Sequence, residues 1–176
     1  TVDADDPDPD ALARRDEYLE EARASFDKAF SLNPARLQPL NDMVNVLSRF
    51  DRREQAADSL QTQLEKPLDD QMKVNLHVIL GNLYEEMDRP VEAEKAYNAA
   101  VEVDPGALRT YMMLSNLKRR RGQLEKAVEW CDRALERKPN YVNAYLRKGE
   151  LLLASDPPKS DRAVETYRAL LEINPG

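Results

Sequence analysis

Two residues in this sequence have side chains suited to proton or thiol chemistry, and each occurs once: His77 and Cys131. A covalent hydrolase or transferase needs a nucleophile within reach of a base, and neither residue has a companion at triad or metal-ligand spacing. His77 belongs to the series His77, Leu80, Gly81, Tyr84, at the i, i+3, i+4, i+7 positions of one helix face. It therefore reads as a packing residue. Cys131 falls within an apolar helical face, where burial shields a thiol and raises its pKa, and a single cysteine forms neither an internal disulfide nor a structural metal site. Calcium is the remaining possibility, because residues 1–10, TVDADDPDPD, hold five Asp. A calcium loop also needs a glycine at its sharp turn, and this stretch has none. The stretch reads as a disordered acidic lead-in. The expectation is a chain with no catalytic group, no metal and no cofactor.

What positions these residues is a recurring phrase. AFSLNP ends at Pro34, AVEVDP at Pro105, ALERKP at Pro139 and LLEINP at Pro175, with a degenerate QLEKP at Pro67. Each has the form of the last turn of an amphipathic helix stopped by proline. The intervals are 33, 38, 34 and 36 residues, a period that predicts a row of small repeated units.

Residues 74–107 form the cleanest unit. The His77 stripe marks one helix; Pro90 suits the first turn of a second, where its missing N–H needs no partner; Ala93, Tyr97 and Ala100 mark the face of that second helix. Two helices joined by about three residues must be antiparallel neighbours. Gly81 is expected to face Ala93 and Ala100 at the crossing, with Tyr84 and Tyr97 on the flanks. The next unit places Tyr111, Leu114, Ser115, Ala127, Cys131, Ala134 and Pro139 at the same offsets. The one after it places Tyr145, Gly149, Ala163, Tyr167, Leu170 and Pro175, with its turn expanded by two residues in SDPPKS.

This pattern of small residues, aromatics and closing proline resembles the tetratricopeptide repeat, a helix–turn–helix unit of 34 residues. The resemblance is strong from Val74 and weaker upstream, and it implies an all-α, right-handed helical-repeat solenoid of about nine helices. The expected organisation is a lead-in over 1–10, an extra helix over 11–36, a degenerate repeat over 37–73, and further repeats over 74–107, 108–141 and 142–176. The expected helices include 90–103, 124–137 and 160–173. The missing initiator Met and the stop directly after Pro175 suggest a piece of something longer.

In this family the first helix of each repeat lines a concave groove. The resemblance implies a binding surface of Asn45, Val78, Ile79, Asn82, Arg109, Met112, Met113, Asn116, Arg119, Arg120, Asn143, Leu146 and Arg147, with Glu85, Glu86 and Glu150 beside them. Three features of it stay open at this point. Asn45, Asn82 and Asn116 recur at one position, either as a ladder for an extended chain or as bonds within each repeat. Val78, Ile79, Met112, Met113 and Leu146 form either an open apolar strip for an amphipathic helix or packing between first helices. Lys118 to Arg121, KRRR, either pairs with Glu85 and Glu86 or presents a patch to an acidic partner. The family's carboxylate clamp for chaperone tails is not reproduced: Asn82 and Arg147 fit it, but Val78, Met113 and Asn143 stand where it needs Lys, Asn and Lys.

Net charge is −7, with +6 over residues 106–150 and −13 elsewhere. That balance, with one basic tetrad, argues against a nucleic-acid groove of the pentatricopeptide kind. No apolar run approaches the ~20 residues of a membrane span. The expected function is a non-enzymatic scaffold that binds a peptide or helix of a partner protein, with an acidic or amphipathic segment as the expected ligand. The competing function is self-association, or continuation into more repeats, through the ends of the solenoid. The compartment stays open.

Overall fold

The computed structural model describes residues 9–173; residues 1–8 of the acidic lead-in and the last closing proline, Pro175, lie outside them. Among the described residues the regular structure is helical: α1 (Pro9–Leu32), α2 (Gln38–Arg49), α3 (Arg53–Leu64), α4 (Asp70–Glu86), α5 (Pro90–Val103), α6 (Leu108–Arg120), α7 (Leu124–Arg137), α8 (Val142–Leu153) and α9 (Ser160–Ile173). Helix α1 takes in Pro9 and Asp10, two residues assigned above to the lead-in, as a proline can at the start of a helix.

The reversals within repeats share one chemistry. Asp51, Asp88 and Gly122 follow α2, α4 and α6 with φ of 59°, 54° and 70°, the left-handed conformation that closes a helix. Around each, the next residue's N–H reaches back to a carbonyl five residues earlier: Arg52 to Leu47 at 2.8 Å, Arg89 to Tyr84 at 2.8 Å, and Gln123 to Lys118 at 2.9 Å. The carbonyls left over at the helix end are thereby satisfied. In the last repeat Lys159 N–H makes the same bond to Leu152 O, at 2.9 Å, across two extra residues. The insertion in SDPPKS therefore lengthens the turn and dispenses with the left-handed residue while keeping this hydrogen bond. The turns between repeats are also tied: the hydroxyls of Tyr111 and Tyr145 donate to the carbonyls of Pro105 and Pro139, at 3.1 and 3.0 Å. The closing prolines thus punctuate the helix and offer the next repeat an acceptor.

The chain divides into two compact units, Thr1–Met72 and Lys73–Gly176. In the first, Leu19, Phe30, Leu40, Met43, Leu47, Ala56, Ala57 and Leu60 are buried. A line of polar contacts also ties α1 to α3 and the residues flanking it: Arg52 to Asp16 at 2.7 Å, Gln63 Nε2 to Asp27 Oδ1 at 2.9 Å, and Lys66 Nζ to Ser31 Oγ at 3.0 Å.

In the second unit, the paired helices interlock by size. A Cβ added to Gly81 would fall within 3.0 Å of the Tyr97 ring, and one added to Gly149 would strike the Tyr167 ring. The ring of the second helix thus lies on bare backbone of the first. This refines the expected crossing: the atoms nearest Gly81 belong to Tyr97, expected on the flank, and Ala93 and Ala100 are fully buried. The middle repeat uses a different pair of sizes. Ser115 stands at the glycine position and Cys131 at the ring position, their Oγ and Sγ 3.4 Å apart, with Ser115 Oγ donating to Ala127 O at 2.9 Å.

This pairing predicts a compensation. Cys131→Tyr alone forces a ring against the Ser115 side chain and is expected to cost about 1–3 kcal/mol. Adding Ser115→Gly, itself destabilising through its mid-helix glycine, should recover part of that loss. Urea unfolding of both singles and the double checks it; additive effects would show that the two positions do not share one space.

Candidate partner-binding groove

Both chemical candidates lie wholly or partly within the helix packing. Cys131 is fully buried, and burial pushes its thiol up to about 11, so it is protonated at neutral pH. His77 is half-buried, and burial pulls its pKa below the ordinary value, opposed by the Glu102 charge. Its resting form is neutral.

The first helices α6 and α8 do assemble a hollow. Arg109, Met112, Asn143, Leu146 and Arg147, five of the residues expected in the groove, line a space of about 520 Å³ together with Tyr141 and Glu150. Met112 is half-buried and packs on the apolar cluster between α6, α7 and α8. Leu146 is 43% exposed. Arg147 lies 3.5 Å from Glu150, whereas Arg109 is exposed and has no ion-pair partner among the described residues. The hollow has an apolar floor and an excess of guanidinium at its rim.

The other expected residues are placed differently. Asn45 is exposed on α2, in the first unit. Val78 and Ile79 on α4, and Met113 on α6, are half-buried. Asn82 serves its own repeat: the Tyr97 hydroxyl lies 2.7 Å from both Asn82 Oδ1 and Glu85 Oε1. Burial first, and then that carboxylate, hold the phenol protonated. Glu85 Oε2 in turn accepts from Arg120 at 2.8 Å. Asn116, one repeat on, has no such partner, because Cys131 stands where the tyrosine would be; its Oδ1 is buried and lacks a hydrogen bond among the described residues. The recurring asparagines therefore differ in use.

The basic tetrad is largely consumed by its neighbours. Lys118 is buried at the position that Tyr84 holds in the preceding repeat, and its ammonium meets Glu94 at 2.5 Å. Arg121 approaches the same carboxylate at 3.7 Å, and Arg120 takes Glu85. Arg119 alone is exposed without an ion-pair partner among the described residues. Sequence reasoning missed the role of Tyr141 in the hollow and of Glu94 as the acceptor for Lys118. The signal for the second was available, since a lysine at a core position must reach a carboxylate.

A tetratricopeptide-repeat family model matches residues 80–142. Over those residues the chain carries the tetratricopeptide repeat. Over 116 residues, 57% of the chain, it is 29% identical to the human protein O-mannosyl-transferase TMTC3, of which the match covers 12%. Over 167 residues, 93% of the chain, it is 25% identical to Hsp70-Hsp90 organizing protein 3 of Arabidopsis thaliana, covering 27% of that protein. The chain thus spans well under a third of the length of these relatives. Among solved structures, MamA shares the fold with a TM-score of 0.62 at 19% identity, over 96% of this chain and 95% of that one. The first tetratricopeptide domain of Spaghetti (RPAP3), bound to the HSP90 peptide SRMEEVD, aligns with a TM-score of 0.51 at 25% identity, over 62% of this chain and 86% of that one. Among the described residues the chain is all-α and of the helical-repeat solenoid class. No helix among the described residues is long and apolar enough to cross a membrane.

The tetratricopeptide core also carries a pH dependence. Because the folded state depresses the His77 pKa, the neutral ring contributes its full stability above the unfolded value of about 6.5. That contribution is lost as pH falls through this value, since the unfolded chain takes up the proton first. Asp16 and Glu92, held below the usual carboxylate range chiefly by hydrogen bonds from Arg52 and Arg89, act only in more acid solution, below about pH 4. His77→Gln should therefore flatten the decline in urea midpoint between about pH 7 and about pH 5. An unchanged slope would remove His77 as its source.

Proposed function

We propose that this tetratricopeptide chain is a non-catalytic interaction module that holds a segment of a partner protein in the groove lined by its first helices. The observation that carries the reading is the hollow between α6 and α8, where Arg109, Arg147 and Asn143 surround Met112 and Leu146. Guanidinium groups pair with carboxylates through directed donors, an amide both donates to and accepts from a peptide backbone, and the apolar floor takes an aliphatic or aromatic side chain. The chemistry suits a segment that combines acidic and apolar residues. A structural neighbour bound to the peptide SRMEEVD supports the peptide mode. The non-clamp residues at Val78, Met113 and Asn143 argue for a different sequence preference. Cys131 is buried and protonated, in keeping with a module that binds without reacting.

The test uses a displayed peptide library selected on the wild-type chain, with the recovered peptides measured by fluorescence anisotropy. Enrichment of Asp or Glu beside Leu, Met or Phe is expected. Leu146→Glu should weaken binding about tenfold or more with little change in melting temperature, because the leucine is exposed before binding. Arg109→Glu should weaken it in a salt-sensitive way. Asn82→Ala should lower stability, through the Tyr97 contact, more than affinity. Selected peptides whose affinity is indifferent to both Leu146→Glu and Arg109→Glu would place the binding surface elsewhere.

A further inference from the structure

Beyond the groove, the first and last helices of the described chain each leave a surface without a partner, and the two differ in chemistry. On α1, a hollow of about 540 Å³ is lined by Ala11, Arg14, Arg15, Tyr18 and Leu19, with Phe50 from the end of α2. Tyr18 is 66% exposed and Phe50 46%, a large apolar area to leave in water. No carboxylate lines this hollow. Arg14 gives one donor to the Asp10 carbonyl, and Arg15 lies 3.4 Å from Asp16. A guanidinium has five N–H donors, so each retains capacity.

On α9 the pattern is inverted. Val164 and Leu171, seven residues and two turns apart, share one face and are 47% and 66% exposed. Asp161, Glu165 and Glu172 run along one edge of that face, all exposed and without ion-pair partners among the described residues; Arg168 is the one cation among them. An apolar stripe edged by carboxylates is what an aromatic hollow rimmed by two arginines accommodates.

We propose that the chain associates with a second copy of itself, α9 of one copy docking into the α1 hollow of the next. Val164 and Leu171 meet Tyr18 and Phe50, and Glu165 and Glu172 pair with Arg14 and Arg15. Because the two surfaces are different patches, the contact is heterologous: each copy in a pair keeps one surface free, and association continues into a chain of copies unless the rotation closes a ring. Rim ion pairs make it weaken with salt.

Sedimentation velocity over a concentration series tests this, with far-UV circular dichroism as the check on folding. The wild type should shift to larger species as concentration rises and return toward monomer at high salt. Leu171→Glu and Tyr18→Glu should each remain monomeric with unchanged helix content, since both residues are exposed before contact. The deciding sample is their mixture. Each variant retains one intact surface, so an equimolar mixture should form a one-to-one dimer and stop there. A wild type that stays monomeric up to roughly millimolar concentration overturns the proposal. So does either variant assembling like the wild type. Assembly of the wild type without pairing in the mixture shows a symmetric contact through some other surface and equally overturns the head-to-tail assignment.

Discussion

The second unit depends on a size match between the two helices of each repeat. A tyrosine ring covers a glycine in the first and last pairs, and a serine faces a cysteine in the middle one. Interiors pack at crystal-like density, so a helix pair can approach closely only where one side gives way to the other. That close approach turns the opposite face of each first helix outward. The side chains of the groove are therefore presented as a consequence of how the glycine face is covered. The same ring also reaches a polar partner, since Tyr97 sits over Gly81 and ends between Asn82 and Glu85.

The helices were legible because their signals are local. Proline at position 90, the apolar period and the closing prolines mark α5, α7 and α9 to the residue. The turn insertion was legible from spacing alone, and the Lys159 to Leu152 bond accounts for it. What covers Gly81 was not legible. Ala93, Tyr97 and Ala100 lie on one face, and periodicity ranks none of them as the residue above the glycine; only the three-dimensional crossing selects the ring. The groove was legible in part for the same reason. Residue spacing puts Arg109, Met112, Asn143, Leu146 and Arg147 on the first helices, but how much of each remains open depends on the neighbouring helix.

Charge shows the same limit at longer range. Four consecutive cations, residues 118–121, look like a field in the sequence. In the fold they separate by direction: Lys118 turns inward to Glu94, Arg121 follows it, Arg120 bridges to Glu85, and Arg119 faces solvent. A helix rotates each successive side chain by about 100 degrees, so a run of like residues is distributed around the axis instead of concentrated. The guanidinium groups that line the hollow between α6 and α8 come instead from residues far apart in sequence, Arg109 and Arg147, which no local run announces.

The hydrogen bonds that close the hairpins join residues five to seven apart, and the polar ties between helices described above reach no further than 36 positions along the chain. Chains stitched by such near neighbours have low contact order, the property that accompanies fast folding. Each hairpin has what it needs to close as soon as its second helix has been synthesised, and the following repeat then docks on a surface already formed. During translation, the stretch of exposed apolar helix awaiting a partner would at any moment be about one repeat long, which limits the window in which an unfinished chain can aggregate.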